Sequence, residues 1–206
     1  MSHFLPPSSD AATFSNRVRV CARHLAELGD DAICGLIDLT SMRLVRFAAT
    51  ITRNQHDAED AVQTAIIKIA ATPARLHQCD DPWAYLLRMV RNESLVILRR
   101  KPRWSLLGGL CDLLTQCRVD ELEREESYRA IWQALRTLPT EQSEVVVLKI
   151  WEEMTFAEIA GVLEITPSTA ASRYRYAMVK LADRLSDELI SPAPSRPNQG
   201  SESNHV

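Results

Sequence analysis

The sequence predicts an all-α protein of two small helical domains joined by a flexible linker, and three observations carry that reading. Apolar residues recur at helical spacing along most of the 206-residue chain. Few segments alternate apolar and polar residues with β-branched enrichment. Between two helical stretches, residues 102–126 change character, to Gly108-Gly109, two cysteines and an acidic run. The boundaries expected are a disordered segment 1–16, a first domain 17–101, a linker 102–126, a second domain 127–189 and a disordered tail 190–206.

With 46% hydrophobic and 25% charged residues the chain has ordinary globular composition, which excludes a largely disordered protein. No apolar run reaches the roughly 18 residues of a membrane span, so no membrane insertion is expected. Met1 to Asp10 lacks the basic and apolar segments of a signal peptide, which points to a cytoplasmic protein. The five cysteines, Cys21, Cys34, Cys79, Cys111 and Cys117, are odd in number and lack CxxC spacing. They read as free thiols in a reducing compartment. No four-ligand set forms, so neither a metal nor another cofactor is expected.

The net charge of −3 hides a segregated distribution. Arg88, Arg91, Arg99, Arg100, Lys101 and Arg103 form a basic block. Asp120, Glu121, Glu123, Glu125 and Glu126 form an acidic one. Arg173, Arg175, Lys180 and Arg184 lie on a last basic helix. Such asymmetry suits a chain that meets nucleic acid with some faces and protein with others.

In chain order, helical patterning begins near Val18, with breaks at Gly29-Asp30-Asp31, at Arg53 to His56 and from Pro73 to Pro82. Asp57-Ala-Glu-Asp60 opens a helix, where acidic residues complement the dipole. Its core stripe is Ala58, Val62, Ala65, Ile66 and Ile69. Asp60, Gln63 and Ile67 form a second face that the core does not need, so it reads as a protein-binding surface. The next helix runs from Trp83 to Arg100 and ends before Pro102. Trp83, Leu86, Leu87, Val90 and Ile97 face inward, and Arg88, Arg91, Asn92, Leu95 and Arg99 lie opposite. Arg and Asn one turn apart reach phosphates and base edges together. The polar loop Leu76 to Asp81 before it has room for an unstacked base.

Residues 155–185 read as a helix-turn-helix. Thr155-Phe-Ala-Glu158 is a capping box. Phe156, Ile159, Ala160 and Leu163 face one side of a short helix, and Glu164-Ile165 makes the turn. Thr166 caps the second helix, with Pro167 at its first position. Ala170, Tyr174, Ala177, Met178, Leu181 and Leu185 form an apolar stripe. Ser168, Ala171, Ser172 and Arg175 lie opposite, with Arg173 on the flank. Small and basic residues at the start of a helix suit entry into a major groove.

These segments, in this order, resemble the extracytoplasmic-function group of the sigma-70 family. Asp57-Ala-Glu-Asp-Ala-Val-Gln63 and Asp81-Pro-Trp-Ala-Tyr-Leu-Leu-Arg-Met-Val-Arg-Asn92 look like its region 2. Leu138-Pro-Thr-Glu-Gln-Ser-Glu-Val-Val-Val-Leu148 and Phe156-Ala-Glu-Ile-Ala-Gly-Val-Leu163 look like its region 4. The resemblance implies a sigma region 2 bundle and a sigma region 4 helix-turn-helix domain, and no enzyme activity of the chain's own. It implies promoter recognition and transcription initiation with core RNA polymerase.

It also implies roles. Asp57, Glu59, Asp60, Gln63 and Ile67 would dock on the polymerase β′ coiled coil. Arg88, Arg91, Asn92 and Arg99, with the loop His77, Gln78, Cys79 and Asp80, would open the −10 element and hold a flipped base. Ser168, Thr169, Ala171, Ser172, Arg173 and Arg175 would read the −35 element, and region 4 would contact the β-flap. An anti-sigma factor is a further expected partner. Departures are Tyr85 where relatives carry Trp, with Trp83 two residues earlier, and Glu164 in place of a turn Gly. Ala171, Tyr176 and Met178 stand where relatives are often basic, so weaker −35 dependence is expected. Rival readings are a stand-alone helix-turn-helix regulator, a helical enzyme without a visible site, and a sigma-like chain redirected to binding a regulator.

Overall fold

The computed structural model describes residues 9–28, 32–100 and 131–190, and every regular element among them is a helix. The expected linker 102–126 lies outside the described residues, as does the expected tail 190–206 apart from Ile190, which ends a helix.

Five helices build the first domain: α1 Ser9–Leu28, α2 Ile33–Thr52, α3 Gln55–Ala71, α4 Pro73–His77 and α5 Pro82–Arg100. α1 begins at Ser9, inside the segment 1–16 expected to be disordered. The reason is an apolar series at helical spacing that starts at Phe14 and continues through Val18, Ala22 and Leu25, all buried. Phe14 meets Trp83 of α5 edge-on, with ring centroids 5.0 Å apart. α2, α3 and α5 pack on one another around Leu36, Phe47, Ile51, Ala65, Leu86 and Leu87.

Local chemistry sets the helix ends. α2 stops at Arg53, whose backbone is left-handed (φ 56°) and whose N–H donates to the Ala49 carbonyl. Asn54 then caps α3, its side chain accepting from the Asp57 N–H at 3.0 Å. The stretch Pro73 to Pro82, read from sequence as a break, holds the short helix α4, started by Pro73. Asp81 caps α5 through the N–H groups of Trp83 (3.0 Å) and Ala84 (3.1 Å). Three threonines sit buried inside α2 because Thr40, Thr50 and Thr52 donate their hydroxyls to the carbonyls of Leu36, Arg46 and Ala48.

The second domain holds helical residues 131–137 (α6), α7 Thr140–Ile150, α8 Phe156–Leu163 and α9 Pro167–Ile190. Its core includes Leu135, Leu138, Leu148, Ile159, Val162 and Ala170. Trp132 and Trp151 stack at 5.6 Å. Ser143 is buried and donates to the Leu135 carbonyl at 2.9 Å, tying α7 to α6.

α7 shows how the domains sit together. Every residue from Ser143 to Leu148 is buried. A helix buried all round has packing on more than one side. α7 packs on α9 and α8 of its own domain and on α2 of the first, while α8 also meets α5.

Candidate nucleic-acid interface

On α3 the stripe Ala58, Val62, Ala65 and Ile69 is buried, as the spacing predicts, and Ile66 is half-buried. Glu59, Asp60, Gln63 and Ile67 stand exposed on the remaining surface, Ile67 at 61%. Asp57 does not join them. It is only 8% exposed, in the first turn capped by Asn54, and it lies four residues before the buried Ala61. The exposed face is therefore Glu59, Asp60, Gln63 and Ile67. Gln55 donates its side-chain amide to Glu59 at 2.7 Å.

The loop after α4 is pinned from two sides. Arg19 of α1 donates to the Asp80 carbonyl at 2.7 Å, and the Cys79 thiol donates to the Arg75 carbonyl at 3.0 Å. His77, Gln78 and Asp80 are exposed, and Cys79 is half-buried. Burial pushes the Cys79 thiol above its ordinary value. Arg88 draws it down, and Asp80 and Asp81 push it up further. The thiol therefore stays protonated at neutral pH.

Along α5, Trp83, Leu86, Leu87 and Val90 are buried and Ile97 is half-buried. Asn92 and Arg99 are exposed, while Arg88 and Arg91 are half-buried. Glu93 of α5 accepts from Lys68 of α3, and Arg91 Nε donates to Glu144 Oε1 of α7 at 2.8 Å.

The helix-turn-helix forms with the expected caps. The Thr155 N–H donates to Glu158 Oε2 at 2.6 Å, and the Glu158 N–H donates to Thr155 Oγ1 at 3.3 Å. The Thr169 N–H donates to Thr166 Oγ1 at 3.1 Å at the start of α9. Glu164 sits in the turn with left-handed backbone, φ 57° and ψ 45°. Ala170, Ala177 and Leu181 are buried and Tyr174 half-buried against Phe156, but Met178 is 37% exposed and leaves the predicted stripe. Ala177 and Leu181 continue the stripe from Ala170 and Tyr174, and Met178 falls on its edge. Ser168, Ser172 and Arg175 are exposed, while Thr169, Ala171 and Arg173 are half-buried. The Arg175 guanidinium lies over the Tyr176 ring, 5.3 Å from its centroid.

Three residues that sequence reading passed over sit between the domains. Arg43 Nη1 donates to Glu152 Oε2 at 3.1 Å, and the same guanidinium covers the Phe14 ring at 3.9 Å. The side chains of Glu152 and Glu144 are 0% and 1% exposed. Burial raises the pKa of both carboxyl groups above the ordinary value. Arg91 and then Arg173 pull Glu144 back, and Arg43, Arg46 and the Trp83 side chain pull Glu152 back. Arg53 Nη2 also crosses the seam to the Leu138 carbonyl at 2.8 Å. The visible clue was Glu144, a charge at the head of the apolar run Val145 to Leu148. A carboxylate there requires a cation from elsewhere in the fold.

Comparison with known proteins covers both domains. A model described as sigma-70 region 2 matches residues 36–103, and one described as sigma-70, region 4, matches residues 128–181. The chain is 29% identical over 146 residues to the RNA polymerase sigma-E factor of Streptomyces coelicolor, spanning 69% of this chain and 79% of that protein. It is 24% identical over 171 residues to the extracytoplasmic-function RNA polymerase sigma factor SigW of Bacillus subtilis, spanning 76% and 90%. Among solved structures it resembles CnrH in complex with the cytosolic domain of CnrY, with a TM-score of 0.58 and 22% identity over 84% of this chain and 99% of that one. The sigma factor RpoE in complex with the anti-sigma factor NepR, from Bartonella quintana, matches with a TM-score of 0.60 and 21% identity over 73% and 94%.

Proposed function

The chain belongs to the extracytoplasmic-function group of the sigma-70 family and is an RNA polymerase sigma factor, and on that premise we propose which faces serve the polymerase and which the promoter. The observation that carries the assignment is the separation of two exposed surfaces within one domain. α3 presents Glu59, Asp60, Gln63 and Ile67, while α5 presents Asn92 and Arg99, with Arg88 half-buried on the same helix. The acidic, partly apolar α3 face suits a basic partner helix, and we assign it to the β′ coiled coil of core polymerase. Asp57 supports that face from beneath as part of the capped first turn.

The α5 face and the loop His77, Gln78, Cys79 and Asp80 suit single-stranded DNA of the −10 element. Arg88, Arg91 and Arg99 meet phosphates, and Asn92 meets a base edge. Ser168, Thr169, Ala171, Ser172, Arg173 and Arg175 form the −35 reader on α9, with the β-flap as the second contact of that domain. Bond-making belongs to the polymerase, and this chain contributes binding free energy to strand opening, at work in the cytoplasm. An anti-sigma factor is a fitting regulator, since two relatives of the same fold were solved as complexes, one of them with a named anti-sigma factor.

The test is transcription in vitro with core polymerase on a promoter library. Polymerase-dependent transcripts that require this chain are expected, and their absence would sink the assignment. A stand-alone helix-turn-helix regulator explains α8 and α9 alone and leaves the α3 and α5 faces without use. It would give a specific duplex shift without polymerase.

A further inference from the structure

The loop between α4 and α5 has a fixed backbone and free side chains. The Gln78 N–H donates to the Ala74 carbonyl at 3.0 Å and the Cys79 N–H to the Leu76 carbonyl at 3.4 Å, which carries the α4 ladder into the loop. The Cys79 thiol turns back onto the Arg75 carbonyl. Beyond the loop, the Asp81 carboxylate holds the N–H groups of Trp83 and Ala84 and starts α5. Asp80 lies between these two anchored stretches. Its carbonyl accepts from Arg19 Nη2 of α1 at 2.7 Å, across 61 positions of sequence. The side chains of His77, Gln78 and Asp80 stand exposed.

α1 brackets the loop from both ends. It packs on α4, which leads into the loop, and its Phe14 meets Trp83, which leads out of it. Arg19 follows the buried Val18, so the register of the α1 core stripe fixes where its head group stands. A guanidinium bond to a carbonyl is charge-assisted and holds better than one between neutral groups. α1 ends at Leu28, before the match to sigma-70 region 2 begins at residue 36.

We propose that Arg19 is a positioning residue for −10 recognition: by fixing the Asp80 peptide it holds His77, Gln78 and Asp80 in the geometry that tells one unstacked base from another. This rests on the assignment of the 77–80 loop to the −10 strand. Telling bases apart requires donors and acceptors held to within about 0.5 Å. Without the Arg19 bond the Asp80 peptide can turn, and the same polar side chains meet every base about equally.

The experiment uses the full chain bound to core polymerase. Anisotropy reads its affinity for labelled single strands that carry the −10 sequence of a promoter the holoenzyme transcribes, with each base replaced in turn by the others. Wild type is expected to prefer the best base over the worst by about tenfold at one position. Arg19→Ala is expected to cut that preference to about threefold or less, with affinity for the worst base held within about twofold. Arg19→Lys keeps a cationic donor at similar reach and is expected to restore most of the preference. Thermal midpoint and core binding check that the domain is intact. An Arg19→Ala chain with unaltered preference overturns the proposal. So does affinity lowered equally for all bases with a shallower salt slope, which would make Arg19 a phosphate contact. The double variant Gln78→Ala with Asp80→Ala separates this role from the loop assignment, since it is expected to erase the preference. If it keeps the preference, or if wild type has none, the loop assignment fails and the proposal with it. If it erases the preference and Arg19→Ala does not, the positioning role alone fails.

Discussion

Single residues carry both the strain and the specificity of this chain. Glu164 holds a left-handed backbone at the helix-turn-helix corner, where a Cβ crowds the following carbonyl. Glu164→Gly is expected to stabilise the second domain by about 1 kcal/mol, read as a higher thermal midpoint of the full chain. No gain would mean that the Glu side chain offsets the strain by a contact of its own. Capping was legible from sequence because it is local: Thr155 with Glu158 and Thr166 with Thr169 are three residues apart. Asp57 misled for a related reason. Its charge suits a helix start and also an exposed acidic face, and the choice depends on its register with Ala61, which the buried stripe settles. The partnership of Arg91 and Glu144 was invisible, because the two residues lie 53 positions apart and meet only once both domains pack.

At the scale of elements, α3 and α9 make separable demands. Asp60→Lys reverses charge on an exposed face without touching the core stripe. It is expected to weaken binding to core polymerase by about tenfold to a hundredfold while leaving the melting temperature unchanged. Affinity equal to wild type in a core-binding titration would remove α3 from the interface. α9 is short of cations on the face proposed to read the −35 element, with Ala171 half-buried and Tyr176 and Met178 exposed. Footprints of the holoenzyme are expected to show partial −35 protection and a shallow salt dependence. Full protection with a steep slope would contradict that. Much of the element pattern was legible, since helical spacing places α2, α3, α5 and α7 to α9, while the short α4 fell in a stretch read as a break. α1 was read short because Phe14, its first core residue, stands alone among small and polar neighbours.

For the whole molecule, the seam makes domain closure sensitive to pH, and its sign follows from burial. Glu144 is surrounded by Arg91, Arg173 and Glu141, and Glu152 by Arg43 and Arg46. Burial is the largest influence on each and raises its pKa above the ordinary 4.5, so the packed domains hold protons more tightly than separated ones would. The favourable contribution is complete below the ordinary value and is lost as pH rises through the raised values. Scattering at a series of pH values is expected to show a more compact chain under mildly acidic conditions than under alkaline ones. A chain that expands on mild acidification would reverse the sign and make pairing with arginine the dominant influence.

The tryptophans bring a last consequence. Trp83 is 4% exposed, packed edge-on against Phe14 and placed beside Glu152 across the seam. Parting of the domains would bring water to that indole, and its fluorescence should move toward the red. Trp132 and Trp151, stacked within the second domain, would remain as they are. The indole of Trp83 is thus a native optical probe of the contact between the two domains.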